Sequence, residues 1–205
     1  MPTRHLDLGC GPTPRNPYGC DEVHAVDIAL PPGVDPGHFR AANLSVEPIP
    51  HPDSSFDSIS AYDFLEHVPR VLPTADGKAT RFPFVELMSE IHRVLRPGGR
   101  LYATTPAWPR GEAFVDPTHV NVITATTHTY FTDAVPNADM YGFRGRFRVV
   151  RAHWIRKRLK QAYEPVSPGP VHRLRILLDV VKRRRTHMLW ELEAVKVGTP
   201  APPAP

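Results

Sequence analysis

Short apolar runs alternate with turn-forming stretches along the first half of the chain, and several of them end on glycine or aspartate. Arg4 to Leu8 is such a run, closing in Gly9-Cys10-Gly11, and reads as a buried strand entering a tight turn. Val23 to Ile28 reads as a second strand, ending at Asp27. Phe39 to Leu44 holds a short third strand, Phe56 to Tyr62 is the fourth and Arg100 to Thr105 the fifth. Between the first two strands, Pro12, Pro14 and Pro17 each lack a backbone donor and fix φ, so at most a short helical turn is expected there. Asp63 to Val68 begins a helix or helical turn, and Val71 to Arg81 reads as a surface insertion. From Phe84 to Leu95, the apolar positions Val85, Leu87, Met88, Ile91, Val94 and Leu95 have helical spacing with one buried face. Arg96-Pro97-Gly98-Gly99 is expected to end that helix through a left-handed glycine cap.

Pro106 to Thr118 reads as an irregular loop and Thr127 to Asp133 as a short helix. Phe147 to Ile155 and Met188 to Val197 read as the last two strands, joined through an amphipathic basic helix over Val171 to Arg185. The Pro/Ala-rich tail from Gly198 to Pro205 is expected to be extended or disordered. Strands alternating with helices predict an α/β fold with an open, mainly parallel sheet, whose last two strands form an antiparallel edge. In such sheets ligands bind beyond the carboxyl ends of the strands, where the strand order reverses. Gly9, Asp27, Tyr62 and Thr105 lie at those expected ends.

Composition narrows the class. At 205 residues with 41% hydrophobic content the chain suits one globular domain, read as 1–197 with a basic helical insertion over 156–186, followed by the tail 198–205. No stretch reaches the ~18 consecutive apolar residues of a membrane span. The N-terminus runs from Met1 straight into strand-like sequence without the apolar core of a signal peptide, so the cytoplasm is the expected compartment. Cys10 and Cys20 make no disulfide framework, and no Cys/His run has metal-site spacing, so no metal is expected. The net charge of +4 is spread unevenly. Arg144 to Arg185 is dense in Arg and Lys, a pattern that either attracts an anionic partner or forms a solvated basic face.

Gly9 and Gly11 let the backbone turn sharply and approach a ligand, which by itself could mean no more than a tight strand-to-helix turn. Asp27 ends the next strand, where a carboxylate can accept hydrogen bonds from ribose hydroxyls. A dinucleotide fingerprint would require glycine or alanine where Pro14 stands, opening a long helix, and is disfavoured. Leu6-Asp7-Leu8-Gly9-Cys10-Gly11 resembles the first motif of class I S-adenosylmethionine (SAM)-dependent methyltransferases, and Ala25-Val26-Asp27-Ile28 resembles their ribose-binding acidic motif. Ser55 to Ile59 with Phe64 to Val68 resembles their fourth-strand motif, and Val94 to Leu101 their helix-to-fifth-strand segment. The resemblance implies a Rossmann-like, doubly wound sheet of seven strands with an antiparallel edge strand, and SAM as cofactor.

The resemblance also implies roles. Asp27 and Ile28 would meet the ribose. Gly9, Cys10 and Gly11 would pass beneath the cofactor, with Asp7 supporting the loop or the amino group of the methionine part. Asn43 and Leu44 match the adenine-contacting segment, and Ala61 and Tyr62 the stretch that touches the methionine portion. A third glycine common in the family is replaced here by Thr13-Pro14, so the loop must run differently.

Methyl transfer from a sulfonium needs alignment, exclusion of water and, for a hydroxyl acceptor, removal of a proton. His67 follows the fourth strand, and because histidine is the side chain suited to taking up a proton near neutral pH it is a candidate base, unless Glu66-His67 only positions the helix turn. Asp116-Pro117-Thr118-His119 follows the loop that crosses the carboxyl edge, and Asp116 and His119 could face one another or the acceptor. Trp108, Phe114, Tyr130 and Phe131 could wall an acceptor site or pack in the core. The expected activity is O-methylation of a small molecule or glycan, an anionic one if the basic segment takes part, by in-line displacement without metal. The alternatives are an RNA methyltransferase using the basic helix and an inactive methyltransferase-like binding module. A lid is expected from Pro106 to Tyr130 or from a partner subunit, and a homodimer is compatible with the sequence.

Overall fold

The computed structural model describes residues 1–157, 163–165 and 185–196. The expected tail and the expected basic helix, Arg185 aside, lie outside the described residues, as does most of the insertion over 156–186.

Seven strands build the main sheet: β1 (Arg4–Leu8), β2 (Glu22–Asp27), β3 (Phe39–Ala41), β4 (Phe56–Tyr62), β5 (Leu95–Pro106), β6 (Phe147–Ile155) and β7 (His187–Ala194). Their order is β3-β2-β1-β4-β5-β7-β6. The first five run parallel, and β7 pairs antiparallel with both β5 and β6. The mainly parallel sheet with antiparallel pairing at one edge is thus the sheet read from the sequence, and the reversed strand, β7, sits one place in from that edge. Strand order reverses at β1, between β2 and β4, and this places the crevice beyond the carboxyl ends of those three strands. Leu72–Pro73 and Thr80–Arg81 form a small separate hairpin where a surface insertion was expected.

Burial follows from this layout. Central parallel strands are covered on both faces and read as continuous buried runs, as Phe56–Tyr62 does with all positions but Asp57 buried. One face packs on α1 (Pro83–Val94), whose Phe84, Leu87, Met88, Ile91 and Val94 point into the core at helical spacing. Pro83 opens the helix at a position where its missing donor costs nothing. The glycine cap expected at its other end is not used. Leu95 is already extended, and the last carbonyls find other donors: Ser54 N and Lys196 Nζ donate to Arg93 O, each at 2.9 Å, and Ser55 N to Val94 O at 2.9 Å. Gly98, at φ +76°, turns the chain later, within β5. The opposite face carries Tyr62, Tyr102, Ile155 and Leu189, with Tyr18 and Tyr163 packed over them. No helix of the described residues is long and apolar enough to cross a membrane.

A buried polar chain runs between β1 and β4. His5 is fully buried, with Nδ1 2.7 Å from Ser58 Oγ and Nε2 2.8 Å from Ser60 Oγ. Ser60 Oγ donates to Asp7 Oδ1 at 2.5 Å, and Asp7 Oδ2 accepts Arg15 N at 2.9 Å. Burial holds the His5 imidazole down to about 3, so it is neutral with one proton. Because Ser60 donates onward, that proton sits on Nε2, and Nδ1 accepts from Ser58.

A histidine kept neutral in the fold and free to protonate when unfolded contributes stability that is fully present above its ordinary 6.5 and is lost as pH falls toward about 3. The Asp7 carboxyl, raised by burial to about 6, acts in the opposite sense: its contribution is present at low pH and lost as pH rises from 3.8 through about 6. We therefore expect the unfolding midpoint of Asp7→Asn in urea to fall as pH is lowered from 6.5, and the His5 ring carbons to show no titration by NMR down to about pH 4. A His5 ring that titrates near 6.5 would refute the assignment.

Candidate active site

The loop after β1 is shaped by two glycines in the left-handed region. Gly9 has φ +62° and donates its N–H to Val26 O at 2.9 Å. A Cβ at Gly9 would lie 2.5 Å from the Phe64 ring, so the segment leaving β4 rests directly against this loop. Gly11, at φ +54°, donates its N–H to Asp27 Oδ2 at 2.9 Å, and Asp27 Oδ1 accepts Ile28 N at 2.7 Å. Among the described residues a Cβ at Gly11 would meet nothing within 4 Å, so they leave that face of the loop open. Cys10 packs between Ala25 and Phe39, and burial followed by the nearby Asp27 and Asp7 charges pushes its thiol up to about 12, which leaves it inert at neutral pH.

Around this loop the expected cofactor residues divide by environment. Asp7 lies beneath it, buried and hydrogen-bonded as described. Ile28 is exposed at the carboxyl end of β2. Ala61 and Tyr62 are buried at the end of β4. Asn43 is exposed, its Oδ1 accepting Ser45 N at 3.1 Å, while the Leu44 side chain belongs to the core, leaving its backbone for any contact with a ligand. Sequence reasoning missed Arg15, whose guanidinium lies 4.5 Å from the centre of the Tyr62 ring and 5.1 Å from that of Tyr163. Its only sequence signal is a lone cation among prolines in the loop. Asp63 was missed too. It turns the chain out of β4 at φ +50°, and its carboxylate pairs with His187 at 3.2 Å and with Lys157.

The two expected histidines come together just past Phe64. A 3-10 turn, Leu65–His67, follows β4 and carries Glu66 and His67. A short helix, α2 (Glu112–Val115), leads to Asp116 and His119. The His67 and His119 rings meet edge to face with centroids 4.8 Å apart. Val120 N and Asn121 N both donate to Glu66 O at 2.9 Å, which ties the second segment to the first. Asp116 accepts Thr118 N at 2.8 Å and Thr118 Oγ1 at 2.6 Å, and its Oδ2 lies 4.0 Å from His119 Nε2. Glu66 is 1% exposed, with Oε2 accepting Thr105 Oγ1 at 2.9 Å, and burial raises its carboxyl to about 8. Of the proposed aromatic wall, Phe131 is in the core against Phe84 and Phe143, whereas Trp108, Phe114 and Tyr130 are exposed. The strand-end glycine loop, the acidic residue closing β2 and this reversal of strand order occupy a region, residues 6–103, that matches the family model described as "Methyltransferase domain".

Residues 6–103 thus match a methyltransferase domain.

Solved structures share the fold of this methyltransferase domain. A SAM-dependent methyltransferase from Archaeoglobus fulgidus is 15% identical, with a TM-score of 0.55, covering 93% of this chain and 86% of its own. One from Mesorhizobium loti is 18% identical, with a TM-score of 0.51, covering 93% and 90%. The [4+2]-cyclase SpnF is 15% identical, with a TM-score of 0.51, covering 94% and 74%. No curated protein matches the chain in sequence. Two of these neighbours are SAM-dependent by name, and the residues present here suit that cofactor. An open glycine face, a carboxylate fixed by two backbone amides at the end of β2, a guanidinium beside the end of β4 and an exposed apolar side chain at Ile28 are the chemistry that a charged amino acid joined to a nucleoside requires.

Gly9→Ala and Gly11→Ala both force a side chain into the left-handed region, at a cost of roughly 1–2 kcal/mol, but only at Gly9 does the new Cβ meet a ring. Thermal unfolding should show the larger loss for Gly9→Ala, by roughly 1–3 kcal/mol. Equal losses would mean that Phe64 does not press on the loop.

Proposed function

We propose that the domain methylates a hydroxyl oxygen of a small-molecule or glycan acceptor. The observation that carries this reading is the pairing of His67 and His119 beside the cofactor loop, each with a ring nitrogen able to take a proton. His119 Nδ1 lies 3.2 Å from Ala113 O, so the proton sits there and Nε2 keeps its lone pair. Thr118 Oγ1 donates to Asp116, so at 3.0 Å it accepts from His67 Nδ1, and His67 Nε2 keeps its lone pair as well.

When bound, SAM supplies a methyl group already activated on a sulfonium. The protein's share is to hold, orient and shield. Asp27 would accept from the ribose hydroxyls, Gly9 to Gly11 would pass beneath the cofactor, and Asn43, the Leu44 backbone and Ile28 would border the adenine. Arg15 would face the methionine carboxylate, next to Ala61 and Tyr62, with Asp7 supporting the loop from below. His67 or His119 would take the acceptor proton, with Asp116 keeping the Thr118 hydroxyl aligned.

Two features favour a small acceptor over RNA. A cleft of about 540 Å³, lined by Arg70, Phe82, Phe84, Thr126, Tyr130 and others, opens on the segment that follows His119, and its volume is that of a small-molecule site. Several of the arginines that make the sequence basic are engaged internally: Arg148 and Arg100 pair with Glu193, and Arg151 with Glu191.

Calorimetry with SAM and S-adenosylhomocysteine tests the cofactor half of the proposal. Micromolar binding of both is expected, weakened in Asp27→Ala by roughly 1–3 kcal/mol through lost hydrogen bonds. Binding unchanged in that variant would move the ribose site elsewhere, and no binding by the parent chain would overturn the enzyme reading. Labelled methyl transfer to a panel of small hydroxyl compounds and to RNA tests the acceptor half. Labelling of RNA alone, with affinity falling steeply with salt, would replace the small-molecule reading.

A further inference from the structure

The side chains on the segments that follow β4 and β5 allow a second use of the two histidine lone pairs, in place of proton removal. Glu66 Oε1, His67 and His119 each present a donor atom, and these atoms all lie within 4.8 Å of one another. Glu66 Oε1 is buried without a hydrogen-bond partner among the described residues, 3.9 Å from His119 Nε2. An orphaned carboxyl oxygen on so buried a side chain is costly unless something binds it.

We propose that Glu66, His67 and His119 bind a divalent first-row transition metal ion. The outer contacts already point the donors at one centre. The Ala113 carbonyl holds His119 by Nδ1, the Thr118 hydroxyl holds His67 by Nδ1, and the Thr105 hydroxyl holds Glu66 by Oε2. That leaves an Nε2 lone pair on each histidine and Oε1 on Glu66 as the donors not engaged in these contacts. Histidine ligands fixed through their second nitrogen to a carbonyl or hydroxyl are the usual support of a metal site. Two imidazoles and one carboxylate suit Zn²⁺, Co²⁺, Mn²⁺ or Fe²⁺ better than Mg²⁺ or Ca²⁺, which favour all-oxygen sets. Bonds of ~2.0–2.2 Å would draw the three side chains inward. Three protein ligands would leave positions open, and a hydroxyl bound there would release its proton to solvent more readily, without a histidine base. The ion's action on an acceptor rests on the methyl-transfer reading, whereas its binding does not. The metal-free site expected from the sequence follows from the absence of a Cys/His run, but the fold assembles these donors from two distant segments.

The test uses the full chain, stripped with a chelator and titrated with Co²⁺. One equivalent should give visible d–d absorption, displaced by Zn²⁺. His119→Ala and Glu66→Gln should each abolish the band with the circular dichroism unchanged, and Thr118→Val should weaken binding roughly 10–100-fold by releasing His67. The rings of His24, His38 and His51 form a second group, with centroids 4.8 and 5.7 Å from His24, so His24→Ala and His38→Ala serve as controls that should leave the band intact. Loss of the band in those variants, or no band in the parent chain, overturns the proposal. S-adenosylhomocysteine binding measured on the same samples separates the two readings. Its persistence without cobalt binding removes the metal alone, and cobalt binding without it removes the methyltransferase reading alone.

Discussion

The buried hydrogen-bond chain between β1 and β4 is the constraint on which the site depends. From Cys20 Sγ, 3.4 Å from Ser58 Oγ, it passes through His5 and Ser60 to Asp7 and ends on the Arg15 amide. Each buried group left unpaired would cost about 1–3 kcal/mol, so the chain forms as a whole or imposes a penalty at every gap. It fixes the register of β1 on β4, because a slip by one residue would turn His5 and Asp7 to the other face. It also determines where the loop after β1 returns, since Asp7 takes its second hydrogen bond from that loop. Asn16 then closes the return by bonding both ways to Cys20, at 2.8 and 2.9 Å. A proline-rich loop without a helix can therefore hold Gly9 and Gly11 in place.

Electrostatics on the other half of the sheet serve packing more than ligand binding. Glu191 and Glu193 are 5% exposed on β7, and each is compensated: Glu191 by Arg151 and by the Tyr18 hydroxyl at 2.9 Å, Glu193 by Arg148 and Arg100. Removing one partner of such a buried pair leaves an uncompensated charge. The Tyr18 bond ties the loop after β1 to β7 and covers the tyrosine face of the sheet. Charge density in a sequence says nothing about whether a partner carboxylate lies across a strand, which is why the segment from Arg144 to Arg185 left both an anionic partner and a solvated face open.

Much of the fold was legible in the sequence because local rules act alone there. The strand Phe56–Tyr62, the helix beginning at Pro83 and the left-handed loop at Gly9 and Gly11 follow from periodicity and from glycine's lack of a Cβ. What could not be read depends on long-range partners. The end of α1 is set by Ser54, Ser55 and Lys196, none of which is its neighbour in sequence, and so the glycine cap was not needed. Phe131 and Tyr130 are adjacent in sequence yet divide between core and surface. His67 and His119 were separately visible as candidate bases, but Glu66 seemed only a neighbour of His67 until its orphaned oxygen was seen between them and β5.

The fold alone does not decide the chemistry, since a [4+2]-cyclase shares it. On the proposed reading, acceptor choice falls to the segment from Pro106 through Tyr130, which follows the carboxyl end of β5. That segment is not independently placed. Glu66 O accepts the amides of both Val120 and Asn121, Asn121 Nδ2 donates to Leu65 O at 3.0 Å, and Arg70 donates to Asn121 Oδ1 at 2.6 Å and to Val122 O. The backbone of the 3-10 turn after β4 therefore holds the segment that carries His119, while its neighbour Phe64 presses on Gly9. The glycine loop after β1, the histidine pair and the edge of the cleft share one support, so on the proposed reading a change of acceptor is most economically made in the side chains of 106–131 that do not face Glu66. Trp108, Phe114 and Tyr130, all exposed there, are the positions where such a change would leave the rest of the site undisturbed.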